Sequence, residues 1–239
     1  MPSLEDRKNL VLQLVLEEFI RTGKSVSSRV ITEKIGRWKG STIRYEMQKL
    51  KESGLLEDEH FSSGKIPTEE AFLWYVKRLI DEELFIIPDQ YKRILSRVID
   101  EVDTFQDAKK KIIRLLSEIT CSSAVYFSED DGLEIFSLKN IFLGQKNIDT
   151  EKILSLISLI DEMENIMRKN FSKLNKGRIC ILIGSQLPYG KSAGVSFSSI
   201  KISNPKDFVI GTINPIRSRY DILFGVLKEI EYMLNDFCN

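Results

Sequence analysis

Three short helical segments, a glycine-tipped hairpin after them, and a switch to strand-like patterning past Cys121 together predict an α+β protein of two compact parts. The first part reads as a winged helix-turn-helix domain at residues 1–67. A helical connector follows at 68–119, and an α+β domain occupies 120–239. At 239 residues the chain is long enough for both parts to bury a core.

Residues 5–22 form a strongly apolar helix that stops before Gly23. Leu10, Val11 and Leu14 make one stripe, and Leu12, Leu16 and Phe19 make another on a different side. A helix apolar on two faces must cover both, so a neighbouring helix or a second subunit is expected against it. Ser25–Ser28 give a polar start to a second helix over 29–35, which Gly36 ends. The third helix begins near Gly40-Ser41-Thr42, where a hydroxyl can cap the free backbone N–H groups. At about 100° per residue Ile43, Met47 and Leu50 share the core face. Ser41, Tyr45 and Gln48 lie opposite, flanked by Arg44 and Lys49. Those side chains are hydrogen-bond formers of the kind that read base edges and phosphates. Ser53-Gly54 stop the helix, Leu55–Glu57 begin a strand, a turn surrounds Gly64, and Ile66 returns.

Pro67 ends the hairpin and Thr68 caps the next helix, whose acidic first turn (Glu69, Glu70) suits the helix dipole. Helices at about 88–102 and 104–119 complete the connector. Beyond Cys121 the reading is strands at 124–127 and 133–143, a helix over 150–172, strands at 178–183, 194–202 and 208–213, and a final helix over 218–237.

Composition narrows the function. Formal net charge is zero, with 35 basic and 35 acidic residues. The nine basic residues between Arg21 and Lys51 are nevertheless opposed only by Glu33 and Glu46, a local patch able to neutralise phosphates. A solvated mixed-charge surface is the other reading of the same residues. No run approaches the roughly 18–20 apolar residues of a membrane span, and the N-terminus lacks a signal-peptide layout, so a cytosolic protein is expected. The single histidine, His60, excludes multi-histidine metal sites. Cys121, Cys180 and Cys238 have no paired spacing and read as free buried thiols. No nucleophile–base pair is visible, so no enzyme and no cofactor are expected. Gly184 to Ser192 resembles a phosphate loop only in part. Five residues separate its glycines, Pro188 intervenes, and a strand follows.

Two motifs carry a family resemblance. Ser41-Thr42-Ile43-Arg44-x-Glu46-Met47, followed by His60-x-Ser62-x-Gly64-Lys65-Ile66-Pro67-Thr68, resembles the HrcA family of heat-inducible transcription repressors. Gly23–Arg29 and Gly211–Tyr220 are similar to two further stretches of that family, in the same order. The chain departs from the family pattern at Tyr45, where the family has asparagine, at Phe61 and Ser63, and at Asn214 and Arg219, where it has glycine and aspartate. It is also shorter than typical members, the shortage falling between about 128 and 178, where they carry an inserted dimerisation segment.

The resemblance implies a repressor of chaperone genes that binds double-stranded DNA, an inverted-repeat operator of the CIRCE type, as a homodimer. It implies a GAF-like C-terminal domain and chaperonin as a modulator. The expected groove-facing residues are Ser41, Thr42, Arg44, Tyr45 and Gln48. Ser28, Arg29, Lys39 and Lys49 are expected on phosphates, with His60, Ser62, Gly64 and Lys65 in the wing. The rival expectation is a ligand-sensing or protein-interaction module whose α+β domain holds a metabolite, marked by an apolar pocket between the strands and the 150–172 helix.

Overall fold

The computed structural model describes residues 4–59, 64–102, 104–143, 148–203 and 206–236. The chain divides into two units, Met1–Asp81 and Glu82–Asn239.

In the first unit α1 (Leu4–Thr22), α2 (Ser28–Ile35) and α3 (Gly40–Glu52) precede a hairpin of β1 (Leu56–Asp58) and β2 (Lys65–Pro67), and α4 (Glu69–Asp81) closes it. Helix α1 is covered on both its apolar sides within this unit. Val11, Leu12, Val15 and Leu16 are fully buried. Toward α3 and α2, Arg7 lies 3.9 Å from Glu46 and Glu18 lies 2.8 Å from Lys34. Toward α4, the Phe19 and Phe72 rings meet edge-on at 6.3 Å, and Arg78 donates to Gln13 at 2.9 Å. The neighbour that the double-sided helix requires is therefore α4, which the sequence places at the start of the connector. Each such leucine removed from water contributes about 1.5–3 kcal/mol.

Local signals fix the short elements. The Ser27 side chain accepts from the Val30 N–H to cap α2, and Gly36 ends that helix at φ 69°, a conformation costly for any residue with a Cβ. The Thr68 hydroxyl donates to the Gly54 carbonyl at 2.7 Å and accepts from the Ala71 N–H, so one side chain ties α3's exit to α4's start.

The second unit contains α5 (Asp89–Asp100), α6 (Phe105–Thr120), β3 (Ser123–Ser128), β4 (Gly132–Phe136), α7 (Lys139–Leu143), α8 (Thr150–Asn170), β5 (Ile179–Ile183), α9 (Gly190–Ala193), β6 (Val195–Ser203), β7 (Asp207–Pro215) and α10 (Tyr220–Asp236). Its sheet is antiparallel throughout, in the order β4-β3-β7-β6-β5. Both faces of the central strands are buried, and the pleat sends alternate residues to different cores. Val125, Phe127, Val209, Ile213, Val195 and Phe197 join Leu156, Leu159, Met163 and Met167 of α8 in one core. Tyr126, Ile210, Ile200 and Phe208 belong to the opposite face, on the side of α6 and α10. The hydroxyl of fully buried Tyr220 donates to the Ile216 carbonyl at 2.7 Å and lies 3.0 Å from Ser196 Oγ, which pins the start of α10 to β6.

Three sequence expectations are corrected here. Residues 133–143 are not all strand. Ser137, at φ 55°, ends β4, and α7 follows, held by the Asn140 amide on Ser117 Oγ and the Ser122 carbonyl. Cys121 is not a buried thiol but an exposed one, at the left-handed end of α6. Cys180 is half-buried, and burial pushes its thiol pKa up. Cys238 lies outside the described residues. The segment after Gly184 closes on itself through Gly190 N–H to Leu187 carbonyl and leads through the single turn α9 into β6.

Asp207 opens β7 with its carboxylate on the Ser203 hydroxyl, 3.0 Å from Lys201 and 3.4 Å from Lys176. The Ser203 hydroxyl and the Lys201 ammonium hold its pKa down at about 2. Because the folded value is depressed, this stabilisation is present above the ordinary carboxylate value and is lost as pH falls toward about 2. Asp207→Asn should flatten the acid limb of the stability profile in that window, measured by urea unfolding at a series of pH values. A limb unchanged by the substitution would exclude Asp207 as its source.

Candidate nucleic-acid interface

Helix α3 separates its residues cleanly. Ile43, Glu46, Met47 and Leu50 are buried, whereas Ser41, Arg44, Tyr45, Gln48 and Lys49 are exposed along one side. Tyr45 is 57% exposed, a large aromatic left in water on a helix that had buried positions to offer. The Lys49 ammonium sits 5.6 Å from the Tyr45 ring and 3.5 Å from Glu52, and Gln48 donates to Glu52 at 3.3 Å. These contacts run along the helix surface and leave Arg44 exposed toward solvent. Thr42 is half-buried at the flank of the row.

The start of α3 differs from the sequence expectation. Lys39 occupies the cap position and no side chain caps the helix, because Ser41 and Thr42 already lie inside it. The positive end of the helix dipole is thus open beside the exposed Arg37 and Lys39. On α2, Ser28 is half-buried, its carbonyl accepting from the Thr32 hydroxyl at 2.7 Å. Arg29 is exposed and paired with Glu33 at 2.9 Å.

In the hairpin, Lys65 and Lys51 both hold the Asp58 carboxylate, and the Lys51 and Lys65 ammonium groups depress its pKa to about 2. Lys65 also exchanges backbone hydrogen bonds with Val26, at 2.8 and 2.9 Å, an isolated antiparallel bridge that ties the segment before α2 to the hairpin. Gly64 is buried at this junction. His60 and Ser62, expected in the hairpin tip, lie outside the described residues, as do Phe61 and Ser63.

The structure therefore brings Ser41, Arg44, Tyr45, Gln48 and Lys49 together on one helix face, with Lys39 at its head. Sequence reasoning missed Glu46, counted there as an opposing charge. It is buried against Arg7 and does not offset the exposed cations. Its position three residues after Ile43 and four before Leu50 was the available signal.

No family model matches the chain. Among curated relatives, a heat-inducible transcription repressor HrcA of Clostridium botulinum (strain Eklund 17B / Type B) is 28% identical over 178 residues, covering 72% of this chain and 49% of the relative. That of Symbiobacterium thermophilum is 40% identical over 126 residues, 51% of this chain and 36% of the relative. The match to that of Lactobacillus delbrueckii subsp. bulgaricus is 27% identical and takes in 97% of this chain and 74% of the relative.

The chain resembles the HrcA heat-inducible transcription repressors.

It spans about half the length of the first of these HrcA relatives. These relatives are named as transcription repressors, not as enzymes. A crystal structure of a hypothetical protein shares the fold, with a TM-score of 0.74 at 16% identity over 97% of this chain and 96% of the other. No helix among the described residues is long and apolar enough to cross a membrane.

A Cβ on Gly64 would stand 2.6 Å from Ser25 Oγ and 3.0 Å from the Ser25 carbonyl carbon. Backbone cannot yield as a flexible side chain does, so Gly64→Ala should cost about 1–3 kcal/mol and lower the urea midpoint. An unchanged midpoint would mean that the segment at Val26 and the hairpin are not held together as described.

Proposed function

We propose that the chain is a DNA-binding transcriptional repressor of heat-shock genes that grips an inverted-repeat operator of the CIRCE type as a homodimer. The single observation that carries this reading is the outer face of α3, where Ser41, Arg44, Tyr45, Gln48 and Lys49 stand exposed on a helix whose other side is fully engaged in the core.

In this reading the first unit is a winged helix-turn-helix. Helix α2 and the turn at Gly36 set α3 against the major groove, and the β1–β2 hairpin is the wing. The Arg44 guanidinium donates two parallel hydrogen bonds to a guanine edge, the commonest specific contact in that groove. Gln48 and Tyr45 supply further donors and acceptors. Lys39, Lys49 and Arg29 meet phosphates, as do the uncapped N–H groups at the start of α3. Lys65 contributes less than its charge suggests, because it shares Asp58 with Lys51. The HrcA resemblance supports the choice of heat-shock genes, a GAF-like second unit and chaperonin as modulator. Tyr45, in place of the family's asparagine, gives this chain a base preference of its own.

One observation favours a second reading, a regulator that senses a metabolite. A cavity of about 450 Å³ lies between α8 and strands β5 and β6, walled by Ile166, Met167, Leu174, Leu182 and Phe197. It lies where that alternative expects a pocket, with Glu162, Lys169, Asn170 and Gln186 beside its apolar wall, and is of a size that small organic ligands fill.

Arg44→Ala, measured by gel shift on inverted-repeat DNA, should lose about 1–3 kcal/mol of binding, or roughly 5- to 150-fold in affinity, and relax specificity at one position. Binding as tight as that of the unsubstituted chain would remove α3 from the reading role.

A further inference from the structure

Ser199 lies in the middle of β6 on the face turned to α8, two residues past Phe197 of the core there. It is 1% exposed, and its Oγ has no hydrogen-bond partner among the described residues. A buried hydroxyl left unpaired costs about 1–3 kcal/mol, and alanine would fill nearly the same space without that cost. Ser199 lines the cavity of about 450 Å³ between α8, β5 and β6, and Cys180, its direct neighbour across the two strands, lines it too.

The cavity has a direction. At its floor Met167, Phe197 and Ser199 are buried. Ile166, Leu174 and Leu182 are half-buried along its sides, and Lys169 and Lys173 are exposed at its mouth. Neither lysine makes a hydrogen bond or an ion pair among the described residues. Other polar side chains of the wall are engaged. Asn165 Nδ2 donates to Glu162 at 3.2 Å, Asn170 Nδ2 donates to the Ile166 carbonyl at 2.8 Å, and Gln186 Oε1 accepts from the Ile183 N–H at 2.9 Å. Glu162 is the one acidic side chain among the described lining residues, so the two ammonium groups outnumber it. The mouth therefore suits an anion and the sides suit an apolar body. The floor suits a hydroxyl, which can both donate to Ser199 Oγ and accept from it. Burial keeps the Cys180 thiol protonated, a weak donor that cannot replace such a group.

We propose that this cavity binds a monocarboxylate with an apolar body and a hydroxyl at its far end, the carboxylate between Lys169 and Lys173 and the hydroxyl on Ser199 Oγ. The assignment rests on the sensing reading, whose ligand it names, and is independent of the DNA-reading role of α3.

The test uses the full chain and two pairs of probes that differ by a hydroxyl: para-hydroxyphenylacetate against phenylacetate, and ω-hydroxyoctanoate against octanoate. Para-cresol and heptanol serve as neutral analogues that keep the hydroxyl and lack the carboxylate. Binding is read by calorimetry and thermal shift. Labelling of Cys180 by N-ethylmaleimide, mapped by peptide mass, locates it, with exposed Cys121, which does not line this cavity, as the internal control. At least one hydroxy acid should bind, slow the labelling of Cys180 but not of Cys121, and exceed its deoxy partner by at least about tenfold, since a site built around a hydroxyl rejects the analogue that lacks it. Ser199→Ala should keep binding of both acids and lose the discrimination between them. Replacing the exposed Lys169 and Lys173 together by glutamine should weaken both acids by at least about tenfold and leave the neutral analogues unchanged. Equal affinity within each pair, or undiminished binding of the acids to the lysine variant, would overturn the assignment and leave the cavity as a sensing site. Protection of Cys180 by the neutral analogues alone would do the same. Failure of every probe to bind at millimolar concentration, or binding that leaves Cys180 unprotected, would overturn the assignment and remove its support from the sensing reading.

Discussion

The first unit depends on a helix that has two apolar sides to cover. Had α1 a single stripe, α3 could pack against it and leave the remainder in water. With Val11, Leu12, Val15 and Leu16 all fully buried, α1 needs partners on both sides, and α3 and α4 become its two walls. Fixing α3 in that way fixes which of its residues remain free. Ile43, Met47 and Leu50 are committed to the interior, and Glu46 goes with them as the partner of Arg7. The row from Ser41 to Lys49 is then held outward on a rigid element, which a surface that must fit another molecule requires.

A different constraint governs the second unit. Its central strands are buried on both faces, so neither face can be polar without internal partners. One face meets this with an apolar core under α8. The other places Ser196, Ser198, Thr212 and Asn214 side by side across β6 and β7, all buried, beneath the start of α10. Tyr220 is 3.0 Å from Ser196 Oγ, while Ser198 Oγ, Thr212 Oγ1 and Asn214 Oδ1 have no partner among the described residues. A polar stripe inside a sheet is a poor way to gain stability, because each unpaired group gives back part of what burial contributes.

Much of this architecture was legible in the sequence because its signals are local. The α3 periodicity, Gly36 as a left-handed stop and Thr68 as a cap all act within a few residues, and each appears where the pattern put it. What was not legible depended on distant parts of the chain. Ser137 ends β4 and Asn140 reaches back to Ser117 and Ser122, so an apolar run that alternates like a strand becomes α7. The interface residues follow the same division. The exposed row on α3 follows from helical spacing alone. The sharing of Asp58 by Lys51 and Lys65, and the pairing of Lys65 with Val26, come from chain segments that the sequence does not show meeting. The cavity at Asn214, between α6, β7 and the start of α10, could be found only in three dimensions, since α6 is far in sequence from β7 and α10.

The outward row of α3 is proposed to read DNA in two symmetrically disposed copies. Selection of bound sequences from a random pool of double-stranded DNA, using the intact chain, tests it most directly. The expected result is enrichment of an inverted repeat whose half-sites are a whole number of helical turns apart, and loss of that enrichment when Arg44 is replaced by alanine. A pool that stays random after repeated rounds, or an inverted repeat selected equally well without Arg44, would contradict it.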